Sequence, residues 1–156
     1  MHLPIDAFEQ THSLSISHGD LVIHEGNIAL GVTIDDKFEK TDYLLFLNGP
    51  NAFDLFEIEE RYMVCRLSKN YSCSIIVEGL PIPFDKTSAK RGSVVYAGGA
   101  PGIAQIAGPN IQIYTLQGRS AAPPRDELGV EFHNWHLWMT DKSGKLIGDP
   151  LVSVSI

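Results

Sequence analysis

Apolar and polar residues alternate over short stretches of this chain, which is the pattern of half-buried β-strands. Residues 13–34 contain three such runs, separated by glycine-containing pairs at 19–20 and 26–27. Each pair suits a two-residue hairpin loop because glycine adopts positive φ without steric cost. The second loop places Ile23 opposite Leu30, and the apolar residues of all three runs then share one face. This segment therefore predicts a three-stranded antiparallel meander.

A second hairpin is predicted over residues 62–79, with a loop at 68–70. In this register Cys65 lies opposite Cys73, and directly opposed strand positions approach the Cβ separation of about 3.8 Å that a disulfide requires. The sequence leaves their redox state open, although a reducing compartment favours two free thiols. No Cys-x-x-Cys motif is present, so the spacing does not indicate zinc or thiol–disulfide exchange chemistry.

A third hairpin is predicted over residues 103–116, where two apolar runs flank a Gly-Pro-Asn turn. A loop at that turn pairs Ile106 with Ile111 and Ala104 with Ile113. Both pairs join apolar residues, as the register of a half-buried hairpin requires.

About ten short strands, punctuated by glycine, proline and asparagine, are typical of an all-β fold. We therefore expect one domain over residues 1–156, built as an antiparallel sandwich or a partly closed barrel. Segment 51–60 is ambiguous, since Asn51 also suits the N-cap of a short helix. The alternative is an α+β fold with one short helix near 51–60.

Composition narrows the class of partner. The chain is 44% apolar and 20% charged, with a formal net charge of −7, which is typical of a globular protein. A negative net charge argues against nucleic acid, whose phosphates require clustered Lys and Arg, and against an anionic membrane surface. The sequence has no export signal and no apolar run of about 20 residues, so we expect a cytoplasmic protein without a membrane partner. We also expect no cofactor, and a homodimer formed through an exposed sheet edge or an aromatic face.

The stretch EFHNWHLWMTDKSGKLIGDP, residues 131–150, contains the main candidate site. Read as a strand, its side chains alternate, so His133 and His136 point to opposite faces and do not form one metal site. His133 falls on the more apolar face. His136 shares the other face with Asn134 and Trp138, a combination that suits contact with a sugar, a peptide or a protein.

The glycine-rich segment 94–108 lacks the Gly-x-Gly-x-x-Gly spacing of a dinucleotide site. We interpret it as a strand that runs into a tight loop. Glycine-rich loops often cover ligands, so Gly98 and Gly99 are predicted to form the rim of the binding site.

Three functions remain open from the sequence. The first is a non-catalytic domain that binds a protein partner or a small ligand through one sheet face or a barrel mouth, using Asn134, His136 and Trp138. The second is a small β-barrel enzyme in which His136 acts as general acid or base with Asp149 or Glu131. If the loop after residue 140 has four residues, Asp149 lies opposite His136. The third is a structural subunit with both aromatic faces buried against neighbours.

Overall fold

The structure is a computed structural model that describes residues 3–96, 100–124 and 128–156. These residues form fifteen β-strands and one short 3-10 helix, Ser13–Ser15, with no α-helix among them. The strands assemble into three sheets, and neighbouring strands within each sheet are antiparallel. The prediction of an all-β antiparallel sandwich is confirmed, and the described residues form no closed barrel.

The strands are numbered in chain order, and those of each sheet are named from one edge to the other. Sheet 1 contains β1 (Phe8–His12), β6 (Met63–Leu67), β2 (Leu21–His24), β3 (Asn27–Asp35), β4 (Lys40–Phe46) and β5 (Leu55–Glu57). Sheet 2 contains β12 (Ser120–Ala121), β11 (Asn110–Thr115), β10 (Pro101–Ala107), β9 (Val94–Tyr96), β13 (Val130–Phe132) and β8 (Ile82–Pro83). Sheet 3 contains β15 (Leu146–Ser155), β14 (Asn134–Thr140) and β7 (Ser72–Glu78).

One apolar core is shared by all three sheets. Sheet 1 contributes Leu30 and Leu45, sheet 2 contributes Ile103 and Tyr114, and sheet 3 contributes Trp135, all of them buried. Alternate residues of the longer strands, such as β3 and β14, point into this core, as the two-residue period of a β-strand requires. The remaining faces are therefore available for secondary cores or for contact with other molecules.

Segment 51–60 forms a turn followed by β5, so the alternative fold with a helix in this segment is wrong. The turn is held by backbone bonds rather than by a helical ladder: Phe53 N donates to Phe46 O at 2.7 Å, and Asp54 N donates to Asn51 O at 3.0 Å. Phe53 has a positive φ of 66°, which ends any helical run at that residue.

The predicted meander is only partly correct. Its first strand is absent, because Ser13–Ser15 forms the 3-10 helix and the Ser15 hydroxyl donates to His12 O at 2.8 Å instead of facing a strand. β2 and β3 do form a hairpin, but the loop is Glu25-Gly26, so Ile23 lies opposite Ile28. The predicted register was therefore displaced by two residues.

The hairpin predicted over residues 62–79 is wrong, whereas the one over 103–116 is confirmed. β6 pairs with β1 and β2 in sheet 1, while β7 pairs with β14 in sheet 3. Cys65 therefore does not face Cys73, and both cysteines are free. β10 and β11 have the expected register, with Ile106 opposite Ile111 and Ala104 opposite Ile113.

Candidate functional site

The outer side of sheet 3 contains the predicted binding residues. Along β14 the buried side chains of Trp135 and Leu137 alternate with the more exposed Asn134, His136 and Trp138. Cross-strand pairing extends this outer surface to both neighbouring strands. We call it the open face, and it consists of Ser72, Ser74, Ile76, Glu78, Asn134, His136, Trp138, Ser153 and Ser155.

His136 is held at both ring nitrogens. Its Nδ1 lies 2.7 Å from Ser153 Oγ on β15, and its Nε2 lies 3.0 Å from Glu78 Oε1 on β7. Because a carboxylate only accepts, Nε2 donates to Glu78, and in the neutral imidazole Nδ1 then accepts from the Ser153 hydroxyl. The ring is thus fixed by its two neighbouring strands while it remains partly exposed.

The pairing of His136 with Asp149 is wrong. The turn after β14 is closed by a hydrogen bond from Asp141 N to Lys145 O at 3.0 Å. The loop therefore begins at residue 142 and not at residue 141, where the prediction placed its start. A bulge then shifts the register between Leu137 and Met139, so that His136 faces Ser153. Asp149 lies in the extra length of chain that this bulge accommodates.

The pairing of His136 with Glu131 is also wrong, since that carboxylate has other partners. Glu131 is buried, with 2% of its surface exposed. Its Oε1 accepts from Lys90 N at 2.8 Å and lies 3.1 Å from His133 Nε2. His133 stands at the bend where the chain passes from sheet 2 to sheet 3, so the two histidines belong to separate sites as predicted.

Sequence reasoning missed the partners of His136. Ser153 and Ser155 alternate with valine in LVSVSI, and this pattern places both serines on one face of a strand. Ser155 Oγ donates to Asn134 Oδ1 at 2.8 Å, which repeats the arrangement of Ser153 and His136 one step along the sheet. No comparable local signal connects Glu78 with a strand 56 positions further along the chain.

The other predicted features have different outcomes. Gly98 and Gly99 lie outside the described residues, so their predicted role at the rim stays a prediction. Burial raises the pKa of the Cys73 thiol to about 12, which keeps it protonated and unreactive at neutral pH.

In the described part of the chain no cluster of three or more His, Cys, Asp or Glu is placed to hold a metal ion. The same residues contain no helix long and apolar enough to cross a membrane.

A groove of about 460 Å³ opens between sheets 1 and 2, away from the open face. We call it the amide groove, and it is lined by Ile34, Tyr43, Asp54, Leu55, Phe56, Gln105, Ala107, Asn110 and Gln112. The sequence pattern did not indicate a functional role for any of these residues.

Comparisons with protein-family models, with curated proteins and with solved structures gave no match to this chain.

Proposed function

We propose that this protein is a non-catalytic binding domain that binds a second copy of itself through sheet 3. The observation that carries the proposal is the free edge of β15. In the described residues β15 pairs with β14 on one side only, and no charged residue lies between Leu151 and Ile156. Proteins usually protect a long exposed edge with charge, proline, a bulge or a covering segment. The first half of β15 contains Asp149, Pro150 and the bulge, whereas residues 151–155 contain none of these, so this half of the edge favours pairing with another strand.

Backbone direction identifies the groups that would form the contact. Ile156 N donates to His133 O at 3.3 Å, and successive residues of a strand point their amides to opposite sides. The amides of Ser153 and Ser155 therefore point away from β14, to the free edge. A twofold axis near Val154 brings these groups of the two copies together in an antiparallel ladder.

The predicted site residues support this edge. Asn134 accepts from the Ser155 hydroxyl, and the Ser153 hydroxyl is hydrogen-bonded to His136 Nδ1, so both serines are oriented before association. Fixing side chains in advance lowers the entropy cost of binding. Pairing at β15 also joins two three-stranded sheets into one of six strands, with Trp138 of each copy on the continuous open face.

Substitution of Ser155 tests the proposal. We expect the wild-type protein to sediment as a dimer and Ser155→Pro to sediment as a monomer, because proline removes the outward amide and adds a ring at the edge. Ser155→Ala is the matched control, since it loses the same bond to Asn134 but keeps the amide, and it should remain dimeric. Sedimentation velocity over a dilution series measures the outcome. A wild-type monomer at all concentrations would contradict the proposal, as would a dimeric Ser155→Pro variant with an unchanged melting temperature.

A second candidate function is favoured by one specific observation. Ser153, His136 and Glu78 form a chain of hydroxyl, imidazole and carboxylate, which is the order found in serine hydrolases. Other features oppose a catalytic role. The Glu78 side chain is 62% exposed, and none of the four cavities identified among the described residues is lined by Ser153, His136 or Glu78. Ser153 also lies in a regular ladder, where no concave site excludes water.

A fluorophosphonate probe distinguishes the two functions. An activated Ser153 would form an O–P bond as the P–F bond breaks, with the hydroxyl proton passing to His136 and fluoride leaving. We expect no labelling of wild-type protein by intact mass spectrometry after prolonged incubation, because the site lacks a pocket. Labelling that Ser153→Ala abolishes would replace the binding function with the catalytic one.

A further inference from the structure

A cavity of about 280 Å³ lies between sheet 1, the start of β7 in sheet 3 and the turn that follows β11 in sheet 2. We call it the leucine cavity, because four leucines line it: Leu21, Leu30, Leu67 and Leu116. Leu21 and Leu30 lie opposite each other on β2 and β3 and belong to the shared core. Cys73 of β7 also lines the cavity, and burial keeps its thiol neutral. These side chains form an apolar surface that suits the hydrocarbon part of a ligand.

The leucine cavity also has a hydroxyl without a partner. Ser68 lines the cavity, and its Oγ is buried and makes no hydrogen bond to any group in the described part of the chain. The backbone of Ser68 is fixed, since its N donates to Ala7 O at 2.8 Å and its O accepts from Tyr71 N at 3.1 Å. A buried polar group in a native protein almost always has a hydrogen-bond partner. Because Ser68 as a whole is only partly buried, rotation about its Cα–Cβ bond is enough to turn the hydroxyl towards a ligand.

The charges around the leucine cavity define the head group of the ligand. Lys69 is exposed and lines the cavity, and its ammonium group forms no ion pair with the carboxylates of residues 3–96, 100–124 and 128–156. Asp20 is the one carboxylate among the described lining residues, and it has partners: its Oδ2 accepts from Ser17 N at 2.8 Å and lies 3.8 Å from Arg66 Nη1. An ammonium group beside a hydroxyl donor suits a carboxylate, which only accepts.

We propose that the leucine cavity binds a small aliphatic carboxylate, with its hydrocarbon chain against the leucines and its carboxylate between Ser68 and Lys69. The volume of about 280 Å³ lies just below the range of about 300–1,000 Å³ that is usual for drug-sized ligands, so the chain is short or of medium length. The site lies at β7, the edge of sheet 3 opposite to β15. Binding there is a second activity, which does not depend on association of two copies.

A series of unbranched carboxylates tests the ligand class. Butyrate, hexanoate and octanoate are titrated into the wild-type protein by calorimetry, and we expect the affinity to rise about fourfold with each added methylene until the chain fills the cavity. 1-Octanol, which has no charge, should bind about tenfold more weakly than octanoate, because the charge-assisted hydrogen bonds are absent. Equal or tighter binding of 1-octanol would reject a carboxylate ligand, and no binding by any member of the series would reject the site.

Two substitutions test the head-group contacts. Ser68→Ala should weaken octanoate binding about tenfold and should not lower the melting temperature of the free protein, since the hydroxyl that it removes has no partner there. Lys69→Gln should weaken the binding of octanoate and leave that of 1-octanol unchanged. Ser74→Ala is the matched control, because it makes the same change on the open face, and it should bind octanoate as the wild-type protein does.

The two readouts from Ser68→Ala distinguish ligand recognition from a structural role. A structural serine would lower the melting temperature when replaced and leave octanoate binding unchanged, and that result would overturn the proposal. Weaker binding in Ser74→Ala with unchanged binding in Ser68→Ala would also overturn it, because the ligand would then lie on the open face. Neither result affects the sedimentation test of the β15 edge.

Discussion

Replacing Trp135 with alanine is expected to lower the free energy of unfolding by about 3–5 kcal/mol, the usual cost of removing a large aromatic side chain from a core. The Trp135 side chain is fully buried, with 0% of its surface exposed. Its Nε1 donates to Gly92 O at 2.8 Å, and its ring lies 6.4 Å from that of Phe53. The substitution therefore leaves a cavity where the three sheets meet, together with a buried carbonyl that has lost its donor.

Trp138→Ala is the matched control, since the two tryptophans stand three residues apart on one strand. Trp138 lies on the open face and is half-buried, so we expect its replacement to cost about 1 kcal/mol. Chemical denaturation of both variants measures the difference. If Trp138→Ala lowers the free energy of unfolding as much as Trp135→Ala does, Trp138 belongs to the core and is not part of the binding surface.

The fold was predictable where local sequence determines both the face and the loop. In the hairpin over 103–116, the short Gly-Pro loop determines the register of the two strands, and all expected pairs are present. In the β2–β3 hairpin the register was displaced by two residues, and a displacement of two keeps every side chain on its face. The apolar face was therefore correct even though Ile23 met Ile28 instead of Leu30.

The pairing of distant strands was not predictable from the same pattern. Alternation in residues 62–79 correctly marked two strands, but it specified only which side chains are buried, not which strands they face. The turn between them holds Tyr71 N to Ser68 O at 3.1 Å and directs β6 and β7 into different sheets. Two adjacent strands thus became neighbours of chain segments that are far away in sequence.

The candidate site was also predictable only where it depends on local sequence. The two-residue period placed Asn134, His136 and Trp138 on one face, and the structure has them there. The prediction assigned the wrong carboxylate to His136. A bulge in β15 places Ser153 opposite His136 instead of Asp149, and the neighbouring strand β7 places Glu78 beside it. A bulge has no local signature strong enough to be recognised from one sequence.

The amide groove depends on the packing of sheets and not on any single strand. The sequence placed Gln105 opposite Gln112 through the correct hairpin register, and alternation with apolar neighbours is compatible with a solvent-facing position. Only the contact between sheets 1 and 2 shows that Gln105 is buried.

The second large effect is expected at Gly118, in the turn between β11 and β12, where sheets 1 and 2 join. Thr33 N donates to Gly118 O at 3.1 Å, and a parallel bridge pairs Thr33 with Arg119. Gly118 has a φ of +75°, and a Cβ at this residue would overlap the backbone O of Gly31 and the backbone N of Gly19. Neither backbone atom can move independently, because Gly19 N donates to Gly31 O at 2.8 Å.

Gly118→Ala should therefore lower the free energy of unfolding by about 2–6 kcal/mol, the sum of about 1–3 kcal/mol for left-handed backbone strain and about 1–3 kcal/mol for overpacking. Gly26→Ala separates these two contributions. Gly26 has a similar φ of +78°, but a Cβ there meets no atom within 4 Å, so only the backbone strain applies. Chemical denaturation of both variants should show the larger loss for Gly118→Ala, because only this residue closes the junction between the two sheets. Equal losses would mean that the turn moves away from sheet 1 at little cost, and that the parallel bridge does not hold the two sheets together.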